Sequence, residues 1–357
     1  MLLKHLWPQL NKVVTLDWRM STTCLQSDIV LPVTNHYEVP KFHIPHPHML
    51  LLTLSERCAA PPGEAKSKWE IALMLAQKLE QRAREREAGE YRDSRDVVRR
   101  FEGLYDGLTK GGVFEKEEQV AEEWVQDTME VGNLPEGTTM DTLREKGFVR
   151  FTDWGLSVMG INQAGDIKPN ETFTHSTWHA QKKVPYPTLT RRAQFYIDHE
   201  WFLEAGEELP CHKDNPSMGG DYPFAMTSGH NRWSIHSMNI TNPLMLETHR
   251  GRPHAVMNPS DALSKGIEDN EEIRVFNDMA SFTVPVKLSP SVQPGQVVVY
   301  NGWDPYQFPG WKGSMDCEPG MVKWLHLAGG YGHLRYWTFQ WQPTPVDRAV
   351  RVDVAKA

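Results

Sequence analysis

Two short apolar runs, KVVTLD at 12–17 and DIVLP at 28–32, flank the polar, turn-prone stretch WRMSTTCLQS. Apolar runs of this length bounded by turn residues are the pattern of buried strands in a parallel sheet. Further along, Trp69, Ala72, Leu73, Ala76 and Leu79 recur at three- and four-residue spacing, which predicts a helix within 64–89. A second helix is expected to carry Val97, Phe101, Leu104 and Leu108 on one face and to stop at Gly111 and Gly112. Glu115, Glu117 and Glu118 suit the start of a third, through Trp124, because negative charge is favoured beside the unpaired N–H groups of a helix N-terminus. A parallel sheet needs several strands and crossover helices, so residues 1–150 read as the end of a doubly wound α/β domain with a helical insertion, its other strands supplied from elsewhere.

From about Phe151 Pro, Gly and aromatic residues become dense and helical spacing fades. A connecting segment over 151–215 and a β-rich domain over 216–357 are expected. Pro223–Met226 reads as a strand, Phe282, Val284, Val286 and Leu288 alternate strictly, and Pro294-Gly295 is a turn signal before a strand at Val297–Tyr300. One helix interrupts them, with Asn258 as N-cap, Pro259 where its missing N–H costs nothing, and Gly266 ending it.

Composition narrows the class. The 357 residues include 13 Trp, 13 Phe and 10 Tyr, too aromatic for a disordered chain, although mean hydropathy is −0.53. Lys and Arg total 38 against 46 Asp and Glu, a net charge of −8, which argues against a nucleic-acid partner. The four cysteines, Cys24, Cys58, Cys211 and Cys317, are too dispersed for a self-contained iron–sulfur or zinc site. No run approaches the roughly 20 apolar residues of a membrane span, and the first residues do not make a signal peptide.

The densest polar constellation is TSGHNRWSIHSMN, Thr227 to Asn239. Many donors, one permanent cation and an unshielded glycine backbone suit a polyanionic, heteroatom-rich ligand, whereas an ordinary polar dozen residues is a surface loop. The aromatic-dense run at 301–343 suits either a lined pocket or a large core. His43, His46 and His48 are separated by prolines that fan the rings apart, so a metal site there is not expected. P-loop, H-E-x-x-H and G-x-S-x-G motifs are absent.

Five blocks, TLDWRMSTTCLQSDIVLP (15–32), FYIDHEWFLEAGEELP (195–210), TSGHNRWSIHSM (227–238), NPSDALSKGIEDNEEIRVFND (258–278) and EPGMVKWLHLAGGYGHL (318–334), resemble the C-terminal portion of the catalytic subunit of the dimethyl sulfoxide reductase family of molybdenum enzymes. The likeness is strongest to the branch with ethylbenzene, sterol C25 and dimethylsulfide dehydrogenases. The resemblance implies two molybdopterin guanine dinucleotides holding one molybdenum, and a six-stranded double-psi β-barrel over 216–357 that caps the pterins. It implies that Asp17, Met20, Ser21 and Thr22 face a guanosine end. It places Thr227, Gly229, His230, Arg232, Trp233, Ser234, His236 and Ser237 against the pterins, with Asn258, Asn301, His333 and Gln340 as further contacts. No catalytic residue and no molybdenum ligand is expected within the chain; both, with a 4Fe-4S cluster, would lie in N-terminal domains of the same subunit.

The resemblance therefore implies an oxidoreductase part, inactive by itself, that serves a hydrocarbon C–H hydroxylating dehydrogenase drawing oxygen from water. An iron–sulfur beta subunit, a haem b gamma subunit, a small and apolar substrate and a periplasmic setting go with that branch. A nitrate, selenate or chlorate reductase, some of which are cytoplasmic, and a non-catalytic cofactor-binding fragment are the alternatives.

Overall fold

The computed structural model describes residues 2–43, 51–152, 177–181, 183–186, 190–193, 195–198, 200–204, 206, 208–209, 211–212, 218–318, 320–321, 344–345 and 350–357. The chain divides into two compact units, 1–186 and 187–357.

In the first unit β1 (Val14–Asp17) and β2 (Ile29–Pro32) pair in parallel, Val14 opposite Ile29, joined through the single turn of α1 (Thr22–Leu25). These are the two apolar runs of the sequence. An antiparallel sheet follows, β3 (Lys41–His43) on β4 (Leu51–Ser55) on a later strand, β7 (Phe148–Arg150). Leu52 and Val149 from it join Val125, Leu134, Met140, Leu143 and Phe151 in a small core. Helix α2 spans Lys68–Glu85 and starts at Ser67, which accepts from Glu70 N while Glu70 accepts from Ser67 N, a reciprocal cap. The first half of the helix expected from Val97 is replaced by a hairpin, β5 (Glu90–Arg92) with β6 (Val98–Arg100), while its second half, with Leu104 and Leu108, is helical and ends before Gly111. The Asp93 carboxylate causes the hairpin: accepting from Arg95 N and Val97 N, it closes a turn that competes with helical bonding. Short α3 (Leu104–Thr109), α4 (Glu117–Glu130) and α5 (Met140–Lys146) complete the insertion; α6 (Thr177–Ala180) lies near the end of the unit.

The second unit opens with α7 (Glu200–Glu204) and is built around β8 (Phe224–Thr227), β9 (Ala255–Met257), β10 (Glu272–Phe276), β11 (Ser281–Leu288), β12 (Gln296–Val299) and β15 (Val350–Lys356). They close in the order β10-β11-β9-β12-β8-β15, with mixed parallel and antiparallel pairs, as the six-stranded barrel expected for the second half. Closure removes sheet edges, and the alternating inward positions Ile273, Val275, Phe282, Val284, Val297, Val352 and Val354 are sealed within a contiguous core. Helix α8 (Pro243–Thr248) lies between β8 and β9, and α9 (Pro259–Ser264) follows β9. Two-residue β13 (Gly320–Met321) and β14 (Thr344–Pro345) pair apart from the barrel.

Candidate cofactor-binding site

Strand direction decides which loops share an end of the barrel. β8 and β12 run parallel, with Met226 opposite Val297, while β9 and β15 run against them. The connections after β8 and after β12 therefore leave from the same end. The constellation Thr227–Ser237 stands there, and Asn301 N donates to Gly229 O at 3.0 Å to tie the two exits together. The rings of His230 and His236 meet edge-on, centroids 4.6 Å apart, and the Arg232 guanidinium lies 4.8 Å from the centre of the Trp233 ring. Asn231 Oδ1 accepts from Trp233 N at 2.9 Å, which turns the chain so that His230, Arg232 and Trp233 face solvent.

Within this loop end Asn231 Nδ2, Ser234 Oγ and Asn301 Oδ1 are shielded from solvent and have no hydrogen-bond partner among the described residues. A buried polar group without a partner costs about 1–3 kcal/mol, so three on two adjoining loops are readily explained by a ligand that pairs them. The set comprises two donors or donor-acceptors and one acceptor, beside a permanent cation and two imidazoles. That chemistry fits a large anionic ligand rich in ring nitrogens and phosphate oxygens.

Next to the loop, His249 and His254 are buried with centroids 6.0 Å apart, and Trp303 meets His249 edge-on. Burial pulls both imidazoles below their usual range, helped at each by the Lys287 cation. These two histidines were not among the expected site residues; the run HRGRPH carries no spacing that marks them.

The expected residues divide by place. Thr227, Gly229, His230, Arg232, Trp233, Ser234, His236, Ser237 and Asn301 are gathered at the one barrel end. Asn258 follows β9 and so stands at the opposite end, where its side chain is engaged: Oδ1 accepts from Ser260 N and Nδ2 donates to Val292 O at 2.7 Å. Asp17, Met20, Ser21 and Thr22 form the turn after β1 in the first unit. There Asp17 Oδ1 accepts from Trp18 N at 2.8 Å and Oδ2 accepts from Ser21 Oγ at 2.9 Å, so the carboxylate shapes the turn, while Met20 is exposed. His333 and Gln340 lie outside the described residues, as do His46, His48 and most of the aromatic run. Among the described residues no group of three His, Cys, Asp or Glu side chains could hold a metal ion.

A closed mixed barrel thus presents buried polar atoms without partners among the described residues, an arginine and a pair of histidines at one end. Residues 224–315 match the model of the molydopterin dinucleotide binding domain. Across 99% of its length the chain is 34% identical to the respiratory nitrate reductase subunit alpha of Haloferax mediterranei, and across 96% it is 33% identical to the dimethylsulfide dehydrogenase subunit alpha of Rhodovulum sulfidophilum. The perchlorate reductase subunit alpha of Dechloromonas aromatica is 33% identical over 99% of the chain. The chain spans 37% of each of these relatives. Acetylene hydratase from Pelobacter acetylenicus shares the fold, with a TM-score of 0.60 over 98% of this chain and 41% of that one, at 15% identity. The chain thus carries a molydopterin dinucleotide binding domain and is a homologue of the alpha subunits of molybdopterin oxidoreductases of the dimethyl sulfoxide reductase family.

Proposed function

We propose that this chain closes the molybdopterin guanine dinucleotide site of a molybdenum oxidoreductase that reduces an oxyanion of the nitrate, chlorate or perchlorate kind. The observation that carries the cofactor reading is the set of unpartnered buried atoms, Asn231 Nδ2, Ser234 Oγ and Asn301 Oδ1, inside the matched segment. When bound, the molybdenum centre supplies two-electron oxygen-atom exchange. The chain's own residues hold and orient: Arg232 pairs with a phosphate, Thr227, Ser234, Ser237 and Asn301 satisfy ring and phosphate heteroatoms, and Gly229 admits close backbone approach. His230, His236 and Trp233 border the pterin and tune its electrostatics. The turn of Asp17, Met20, Ser21 and Thr22 receives a guanosine end. Molybdenum ligation, the iron–sulfur cluster and electron transfer to iron–sulfur and haem subunits are assigned to protein beyond these residues.

The reductive direction is supported by the nitrate, perchlorate and chlorate reductases among the relatives, the last 31% identical from Ideonella dechloratans. Dimethylsulfide dehydrogenase supports oxidation as the second reading; hydrocarbon hydroxylation has the sequence resemblance alone. The native complex, assayed with reduced viologen plus nitrate, chlorate or perchlorate and separately with dimethylsulfide or a hydrocarbon plus an artificial acceptor, separates the readings. Oxyanion-dependent viologen oxidation is expected, and turnover confined to the oxidative assay would overturn the reductase reading. Arg232→Ala is expected to weaken cofactor retention about 10- to 100-fold, the worth of one charge-assisted bond of roughly 1.5–3 kcal/mol, read as molybdenum and released guanylate per polypeptide. Unchanged content would remove Arg232 from the site.

A further inference from the structure

The residues leaving β12 touch the 228–254 loop at three points. Asn301 N donates to Gly229 O at 3.0 Å, and Trp303 meets the His249 ring with centroids 5.7 Å apart. Between them Gly302 lies against the His236 carbonyl so closely that a Cβ could not be placed without moving that backbone. Gly302 has φ +97°, a conformation L side chains rarely adopt. His236 itself is left-handed at φ +49°, a conformation uncommon for a non-glycine residue. A colliding backbone carbonyl cannot swing aside as a flexible side chain would.

We propose that Gly302 is a positioning residue for His236. Its missing side chain admits the His236 carbonyl, and that contact holds the left-handed bend from which the His236 ring meets His230. The inference rests on the cofactor-capping reading above: through His236, Gly302 governs how firmly the pterin is held and in what electrostatic setting.

The native complex with its cofactor bound provides the test, in unaltered form and as Gly302→Ala, Gly295→Ala, His236→Gly, and His236→Gly combined with Gly302→Ala. Gly295 is the control, because it also has a positive φ, +81°, but an added Cβ meets nothing within 4 Å. The readouts are molybdenum and guanylate per polypeptide, the Mo(V) paramagnetic resonance spectrum and the thermal midpoint. Gly302→Ala is expected to lower cofactor content about tenfold, the scale seen when a supporting residue is lost, or to alter the Mo(V) spectrum, while Gly295→Ala changes only the midpoint. In the His236→Gly background, where the backbone at 236 can give way, Gly302→Ala is expected to change the thermal midpoint only, as Gly295→Ala does, and to add nothing further to the loss of cofactor or the change in the Mo(V) spectrum. If Gly302→Ala alone does not accumulate as folded protein, the double variant is expected to accumulate as His236→Gly does. The proposal is overturned if Gly302→Ala behaves as Gly295→Ala does, or if its effect, including failure to fold, persists undiminished with His236→Gly. Absence of molybdenum and guanylate from the unaltered complex would instead overturn the cofactor reading, and this inference with it.

Discussion

His254 enters β9 from a position where it is 4% exposed, and His249, 6% exposed, lies beside it. Burial is the main reason both imidazoles favour the neutral form. Lys287 adds to it at both rings, and at His254 so do His249 and Arg250, while the Arg252 carbonyl near Nδ1 pulls the other way. Because the folded-state values lie below the unfolded value of about 6.5, the unfolded chain binds more protons in the window between them. Stability is therefore fully present above about pH 6.5 and is lost as the pH falls through that window, by at most about 1.4 kcal/mol per pH unit for each histidine. Asp269 and Glu271, whose carboxyls are held low by backbone N–H and cationic partners, act in the separate window below about pH 4.5. His254→Gln should flatten the slope of urea-unfolding stability between pH 7 and pH 5 and leave the acid limb unchanged. An unaltered slope between pH 7 and pH 5 would place the titration elsewhere.

At the level of elements, local signals held wherever local chemistry decides the structure. Ser67 and Glu70 satisfy each other's backbone groups, and the Ser67 hydroxyl that caps α2 is itself buried. Ser67→Ala should cost about 1 kcal/mol or more of first-unit stability, the ordinary worth of an N-cap, measured by denaturant unfolding. A loss below about 0.3 kcal/mol would show that the cap is replaced by solvent. The strict alternation at Phe282, Val284 and Val286 and the Asn258 cap before Pro259 were legible for the same reason, whereas the spacing at Val97 and Phe101 misled and only Leu104 and Leu108 are helical. Three- and four-residue recurrence is necessary for an amphipathic helix but blind to a carboxylate such as Asp93, which ties down Arg95 N and Val97 N and turns the chain. Of the site, the Thr227–Ser237 loop was legible because its donors are contiguous. The placing of Asn301 beside that loop, and of Gly302 against the His236 carbonyl, was not, since only β12 lying parallel to β8 brings them together.

The two units differ in how completely they bury their own apolar surface. In the barrel, strands β10, β11 and β15 enclose Ile273, Val284 and Val352 at 0–1% exposure, with no open edge on which unfolding could begin. In the first unit β1 and β2 form a sheet of two parallel strands, and every second residue from Val14 through Leu16 and Trp18 to Met20 is 40–52% exposed, as is Ile29 on β2 at 46%. Parallel pairs are normally covered on both faces, and an isolated pair has little packing to repay its ordering entropy. The 357-residue chain should therefore open locally at β1–β2 well before the barrel unfolds. Hydrogen exchange followed by mass spectrometry is expected to show amides of 14–17 and 29–32 exchanging on the order of 100-fold faster than those of 272–276, 281–288 and 350–356, a difference of about 2.7 kcal/mol in opening free energy. Equal protection would mean that this pair is stabilised as firmly as the barrel within these residues alone. Faster exchange that slows once the chain is in the complex proposed above would identify the Val14–Met20 face as a surface that complex covers.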